Sequence, residues 1–127
     1  MATVASVDGY QYSFDPAKVC AVADHDADTG LAITCVYGIL KARLEISETV
    51  AAFLNRLGIT AQFAILTRPN GSNIWINGSS VSVIRQPLPY EYVPAVHAVV
   101  IAGSLTQGVS EDLAAATAAV NAHGGKM

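Results

Sequence analysis

One string of signals is written twice along this chain, and that restricts the fold more than any single motif does. Asp8-Gly9 opens a stretch that runs through Tyr12 and Phe14 to the alternating Val19, Ala21 and Ala23, with Val22 on the other face. Asn70-Gly71 opens a second that runs through Ile74 and Ile76 to Val81, Val83 and Ile84. Gly9 thus matches Gly71, Val19 matches Val81 and Val22 matches Ile84, all at a separation of 62. Further on the separation drifts by one, where Ser47-Glu48-Thr49-Val50-Ala51-Ala52 matches Ser110-Glu111-Asp112-Leu113-Ala114-Ala115. A turn, an apolar strand, a loop, a strand pair and a capped helix in the same order mark an internal repeat. The chain is expected to be a tandem duplication, one unit spanning residues 1–61 and the other 62–127.

The expected class is α+β: two tandem repeats, each an antiparallel β-meander followed by one helix, packed as one pseudo-symmetric domain. In the first unit the strands are expected over Thr3 to Val7, Tyr10 to Phe14, Lys18 to Ala23, Leu31 to Tyr37 and Ile39 to Ile46. In the second they are expected over Gln62 to Thr67, Asn73 to Ile76, Ser80 to Arg85, Val96 to Ala102 and Leu105 to Val109. The Asp-Gly and Asn-Gly turns favour tight hairpins. Pro69, Pro87, Pro89 and Pro94 fall between strands, where a missing amide donor costs least. Ser47 and Ser110 are the expected helix N-caps, with Glu48, Glu111 and Asp112 placing negative charge at the positive end of each helix dipole. Val50, Phe53, Leu54 and Leu57 form an apolar stripe, Leu113, Ala116 and Val120 a thinner one, and Gly58 and Gly124-Gly125 end the two helices.

Composition narrows the function. The chain is 52% hydrophobic and only 13% charged, so part of its apolar surface is expected to be covered by a partner, and a homo-oligomer follows. A net charge of −3 with scattered basic residues excludes general nucleic-acid binding. The longest apolar runs, such as Ala95 to Gly103 with His97 inside it, fall short of the roughly 20 residues a spanning helix needs, so no membrane partner is expected. No basic region followed by an apolar stretch opens the sequence, and synthesis in the cytoplasm is expected.

The chemistry-bearing residues point away from catalysis. If Lys18 to Ala23 and Leu31 to Tyr37 form a hairpin, residues whose numbers sum to 55 face each other, which makes Cys20 and Cys35 cross-strand neighbours. Two buried thiols are favoured over a disulfide, and the absence of a Cys-x-x-Cys spacing excludes a thioredoxin-type centre. Asp24, Asp26 and Asp28 alternate as calcium-loop ligands do, but Gly30 comes one place late and Cys35 stands where the bidentate acid belongs, so a solvated hairpin loop is favoured. His25, His97 and His123 share no metal-ligand spacing, and His97 reads as a hydrogen-bonded core or interface residue. No nucleophile elbow or phosphate loop is present, and the acids near the helix starts have structural work. No catalytic, cofactor-binding or metal-binding residue is therefore assigned.

The segment Pro87-Leu88-Pro89-Tyr90-Glu91-Tyr92-Val93-Pro94 has no counterpart in the first unit. Its prolines favour an extended, rigid loop and its tyrosines are good anchors for recognition. Pro89, Tyr90 and Tyr92, with Trp75 and Arg85, are the candidate partner-binding residues.

Leu66-Thr67-Arg68-Pro69-Asn70-Gly71, followed by Ile74-Trp75-Ile76-Asn77, Val81 and Ile84, resembles the FlbD-type small proteins, whose Leu-Thr-Arg-x-Asn-Gly opening leads to an Ile-x-Ile-Asn strand and a terminal helix. The resemblance covers Leu66 to about Val120, within the internal tandem duplication; the first unit departs from it, having Val7-Asp8-Gly9 in place of the full opening and Phe14-Asp15 where Ile76-Asn77 stands. It implies a small interaction module rather than an enzyme, of a kind also found in short bacteriophage proteins.

The leading expectation is a non-enzymatic structural protein forming a symmetric assembly, such as a bacteriophage virion component that decorates a capsid. One alternative is a module that binds or sequesters a nucleotide signal near Trp75, Arg68 and Arg85. The other is a regulator acting through protein contacts.

Overall fold

A computed structural model of the chain describes residues 2–24 and 34–127. Among these residues the elements run β1 (Ala2–Ala5), β2 (Gln11–Phe14), β3 (Ala21–Asp24), β4 (Thr34–Tyr37), β5 (Leu44–Ile46), α1 (Val50–Leu57), β6 (Phe63–Thr67), β7 (Asn73–Asn77), β8 (Val81–Arg85), β9 (Ala98–Ala102), β10 (Leu105–Val109) and α2 (Leu113–Asn121). The class is α+β with antiparallel pairing, in sheets ordered β1-β2, β5-β4-β3-β7-β6 and β10-β9-β8.

Local chemistry recurs between the halves. In the first hairpin Ser6 N–H donates to the Tyr10 carbonyl at 2.8 Å and Gly9 N–H to that of Ser6 at 3.0 Å; in the second, Arg68 N–H donates to Ser72 at 2.8 Å and Gly71 N–H to Arg68 at 2.9 Å. Gly9 and Gly71 sit at φ of 92° and 87°, a region that glycine enters without penalty. Each hairpin runs into one turn of 3₁₀ helix, Pro16–Lys18 or Gly78–Ser80. The Asp15 carboxylate caps the first by accepting from Ala17 N–H at 3.0 Å, and the Asn77 amide oxygen caps the second by accepting from Ser79 N–H at 3.1 Å.

Both helices begin two residues later than their serines suggest. Thr49 caps α1, accepting from Ala52 N–H at 3.1 Å, and Asp112 caps α2, accepting from Ala115 N–H at 2.8 Å. The cap is the extended residue immediately before the apolar stripe, which leaves Ser47 and Ser110 outside. The neighbouring acids do other work: Glu48 pairs with Arg56 in the last turn of α1, and Glu111 ties α2 to β6, accepting from Thr67 N–H at 2.9 Å and its hydroxyl at 3.0 Å. Gly58 closes α1 in the left-handed region, whereas α2 ends at Ala122, short of Gly124.

The halves share a sheet. β3 of the first half pairs with β7 of the second, Ala21 opposite Ile76, Val22 opposite Trp75 and Ala23 opposite Ile74. Alternation along β3 feeds two cores. Val22 faces a core built by Val4, Phe14, Val36, Ile46, Phe53, Leu54 and Phe63, while Ala21 and Ala23 face one built by Leu66, Ile74, Ile76, Val100, Val109, Ala116 and Val120. Phe53, fully buried, stacks on Phe14 with ring centroids 6.2 Å apart, and such a residue costs about 3–5 kcal/mol to truncate. In the second core the small Ala-rich face of α2 permits close approach. A Cβ on Gly78 would stand 2.7 Å from the Val120 carbonyl oxygen.

Candidate functional site

Arg85 ends β8 and fixes the Pro-Tyr segment beyond it. Its guanidinium donates to both Glu91 oxygens, each at 2.7 Å, a bidentate geometry that holds the loop from one side. Glu91 Oε1 also accepts from Leu88 N–H at 3.0 Å, and Glu91 N–H donates back to the Leu88 carbonyl at 3.1 Å. The Arg85 hydrogen bonds, followed by that of Leu88, lower the Glu91 carboxyl from its ordinary value to about 2. Tyr92 anchors the base of the loop: its ring edge lies 3.2 Å from where a Cβ on Gly108 of β10 would stand.

The result is an apolar projection on a polar clasp. Tyr90 is 104% exposed and takes the left-handed conformation at φ 64°, unusual for a residue with a side chain. Leu88 and Val93 are 62% and 58% exposed. Pro89, Tyr90, Tyr92 and Arg85 thus belong to one structure. Trp75 does not join them: it lies on β7 between Val22 and Ile65 and packs against the first core.

The cysteine pairing is corrected by the register. β3 and β4 pair Ala21 with Tyr37, Val22 with Val36 and Ala23 with Cys35, so opposed numbers sum to 58, and Cys20 and Cys35 are not opposite each other. The 3₁₀ turn occupies Lys18, where a strand was expected to begin, and Cys20 N–H donates to the Tyr37 carbonyl beside Ala21 as an extra residue. Both thiols are buried and not disulfide-bonded, and burial pushes that of Cys20 up. The acidic loop at 25–30 lies outside the described residues apart from Asp24, which is exposed. Among the described residues no three His, Cys, Asp or Glu side chains gather as metal ligands. His97 is hydrogen-bonded as expected, with Nδ1 2.8 Å from the Ser110 carbonyl oxygen, but it is exposed and so is not a core residue.

A feature that the sequence did not reveal is an open groove of about 320 Å³ between the first hairpin turn and β5, lined by Ser6, Asp8, Tyr12, Leu40, Arg43 and Glu45 among others. The Ser6 hydroxyl donates to Asp8, and Arg43 lies 3.4 Å from Glu45. Its members come from two segments, Ser6 to Tyr12 and Leu40 to Glu45, without a shared motif to betray them. Arg68, Trp75 and Arg85 do not line it. The Arg68 guanidinium donates to the Ser72 hydroxyl at 2.8 Å and the Asp24 carbonyl at 2.7 Å.

No described helix is long and apolar enough to cross a membrane. Comparison with protein-family models, with curated proteins and with solved structures finds no match to this chain.

Proposed function

We propose that the protein is a non-enzymatic structural protein, one unit written twice, that acts by assembling with copies of itself and presenting the Pro-Tyr projection to a protein partner. The setting that fits this work is a bacteriophage virion, with the protein decorating the capsid. The observation that carries the reading is the projection itself. A fully exposed Tyr90 flanked by exposed Leu88 and Val93 is held by a bidentate ion pair, so little ordering entropy remains to be lost on binding. Tyrosine offers a large rigid contact area with a polar tip, which suits a protein surface.

The nucleotide-sequestering alternative needs cations that converge on a phosphate. Arg85 is engaged by Glu91, Arg68 by Ser72 and the Asp24 carbonyl, and the groove carries Asp8 and Glu45. Native mass spectrometry of the purified protein separates the readings. Masses at integer multiples of the 13.2 kDa chain, with nothing released on denaturation, are expected. A stoichiometric small molecule in the released fraction, or a monomer alone at every concentration, would overturn the proposal.

A further inference from the structure

Strand edges in this molecule are of two kinds. β1 meets β5 through the Ser6 and Ile46 bridge and the Val7 N–H bond to the Glu45 carbonyl at 3.0 Å; β6 meets β10 through the Ser110 N–H bond to the Thr67 carbonyl at 2.8 Å. In space the strands therefore follow one another as β2-β1-β5-β4-β3, then β7-β6-β10-β9-β8. The joint between these two sets is β3 on β7. Among the described residues no backbone bond reaches the outer edge of β2 at one end of the series or of β8 at the other. These two strands are the counterparts of β7 and β3, at the same separation of 62 that matches Gly9 to Gly71 and Val19 to Val81.

We infer that the protein adds β2 of one copy to β8 of the next, head to tail, in the antiparallel register that joins β7 to β3 within the chain; this deepens the assembly reading and rests on it. Carrying the internal register across places Val83 opposite Phe14, Ile84 opposite Ser13 and Arg85 opposite Tyr12. Burial differs between the internal joint and the open ends as an unmade contact requires. Ala21 is 0% exposed inside the joint and its counterpart Val83 is 42% exposed at the edge; Ile74 is 0% exposed and its counterpart Tyr12 is half-buried. The extra residue of β3 also has its counterpart: the register of β8 on β9 slips between Val81 and Val83, at Ser82, which stands where Cys20 does. Neither edge carries the lysine or proline that isolated edges use against pairing: β2 reads Gln-Tyr-Ser-Phe and β8 Val-Ser-Val-Ile-Arg. The two surfaces are unlike, so the contact is heterologous and either closes a ring or extends a filament, according to the rotation between copies.

One bond of the internal joint is missing from the external one. Asn77 Nδ2 donates to the Val19 carbonyl at 3.1 Å across β3 and β7. Asp15 stands in its place at the end of β2 and accepts only, so the joint between copies is the weaker of the two.

The test is sedimentation velocity over a concentration series on the wild type, Val83→Lys and Asp15→Asn, with circular dichroism confirming the fold of each. Val83→Lys puts an unpaired charge into the joint and raises the dissociation constant about 100-fold, while the exposed site leaves folding intact. Asp15→Asn keeps the turn cap, as Asn77 does in its own turn, supplies the missing donor and tightens association about tenfold. A wild type that assembles while Val83→Lys assembles equally, or an Asp15→Asn variant with unchanged affinity, overturns this joint and leaves the assembly reading standing. A monomeric wild type removes both.

Discussion

Asn77→Asp asks whether the joint between the halves rests on a single amide. Asn77 is 1% exposed; its Oδ1 accepts from Ser79 N–H at 3.1 Å and the Ser79 hydroxyl at 2.8 Å, and its Nδ2 donates to the Val19 carbonyl at 3.1 Å. The substitution keeps both acceptor bonds, the backbone one being the bond that Asp15 accepts from Ala17 N–H in the matching turn, and removes only the donor. An unsatisfied buried acceptor costs about 1–3 kcal/mol and the new charge adds to it, giving an expected loss of about 3 kcal/mol at pH 7. That is a large share of the roughly 5–15 kcal/mol that holds an ordinary domain together. The loss has a sign in pH. Burial beside a carbonyl disfavours the carboxylate, so the introduced group has a folded pKa above its unfolded value of about 4. A pKa raised by folding contributes stability below the unfolded value and loses it as pH rises through the folded one. The deficit against wild type is therefore full above the folded value, shrinks as pH falls through it, and is smallest below about pH 4, where the protonated acid can donate to Val19. Urea unfolding followed by the chain's one tryptophan, Trp75, opposite Val22 in the same joint, reads both quantities. A deficit under about 0.5 kcal/mol at pH 7, or one of equal size at pH 4 and pH 7, would refute the reasoning.

Three further outcomes are expected. Thr49→Ala costs about 1 kcal/mol in thermal or urea unfolding while Ser47→Ala costs a few tenths at most, because only Thr49 accepts a helix amide. Gly78→Ala pushes a methyl against the Val120 carbonyl and the end of α2, so it destabilises by about 2 kcal/mol or more, seen as a lowered urea midpoint. Glu91, lowered by Arg85, stabilises the projection above its ordinary pKa of 4.5 and loses that effect as pH falls toward about 2. Carboxyl resonances followed by NMR should show a midpoint near 2 in the wild type that returns toward the ordinary range in Arg85→Ala.

What could be read from residues alone was local. The Asp8-Gly9 and Asn70-Gly71 turns, the strand over Leu105 to Val109 and the stripe Val50, Phe53, Leu54 are set by glycine conformation and by periodicity, and each lies where those rules put it. The Pro-Tyr segment was expected to be extended, but it turns back, with Glu91 N–H on the Leu88 carbonyl and Tyr90 left-handed, and its clasp was not legible: Arg85 and Glu91 meet because of that turn, which no spacing rule demands. The Cys20 and Cys35 register went astray through Pro16, which starts a 3₁₀ turn that consumes the beginning of the expected strand. Nor was the crossing of β3 to β7 readable, since alternation fixes a strand's faces and not its neighbour. Val19 to Ala23, apolar on both faces, carried the only hint: a strand buried on two sides lies inside a sheet.

The joint between copies is tested most directly by a covalent bond across it. In the internal joint Asn77 N–H donates to the Cys20 carbonyl, so in alternation Ala23 and Ile74 form a non-hydrogen-bonded pair, the geometry that accepts a disulfide. Their counterparts are Arg85 and Tyr12 on neighbouring copies. A chain carrying Tyr12→Cys with Arg85→Cys, oxidised under native conditions and run without reductant, is predicted to give covalent multimers. Tyr12→Cys with Val83→Cys, two positions out of register, should not. A purely monomeric product from the first variant, or equal cross-linking of both, contradicts the account.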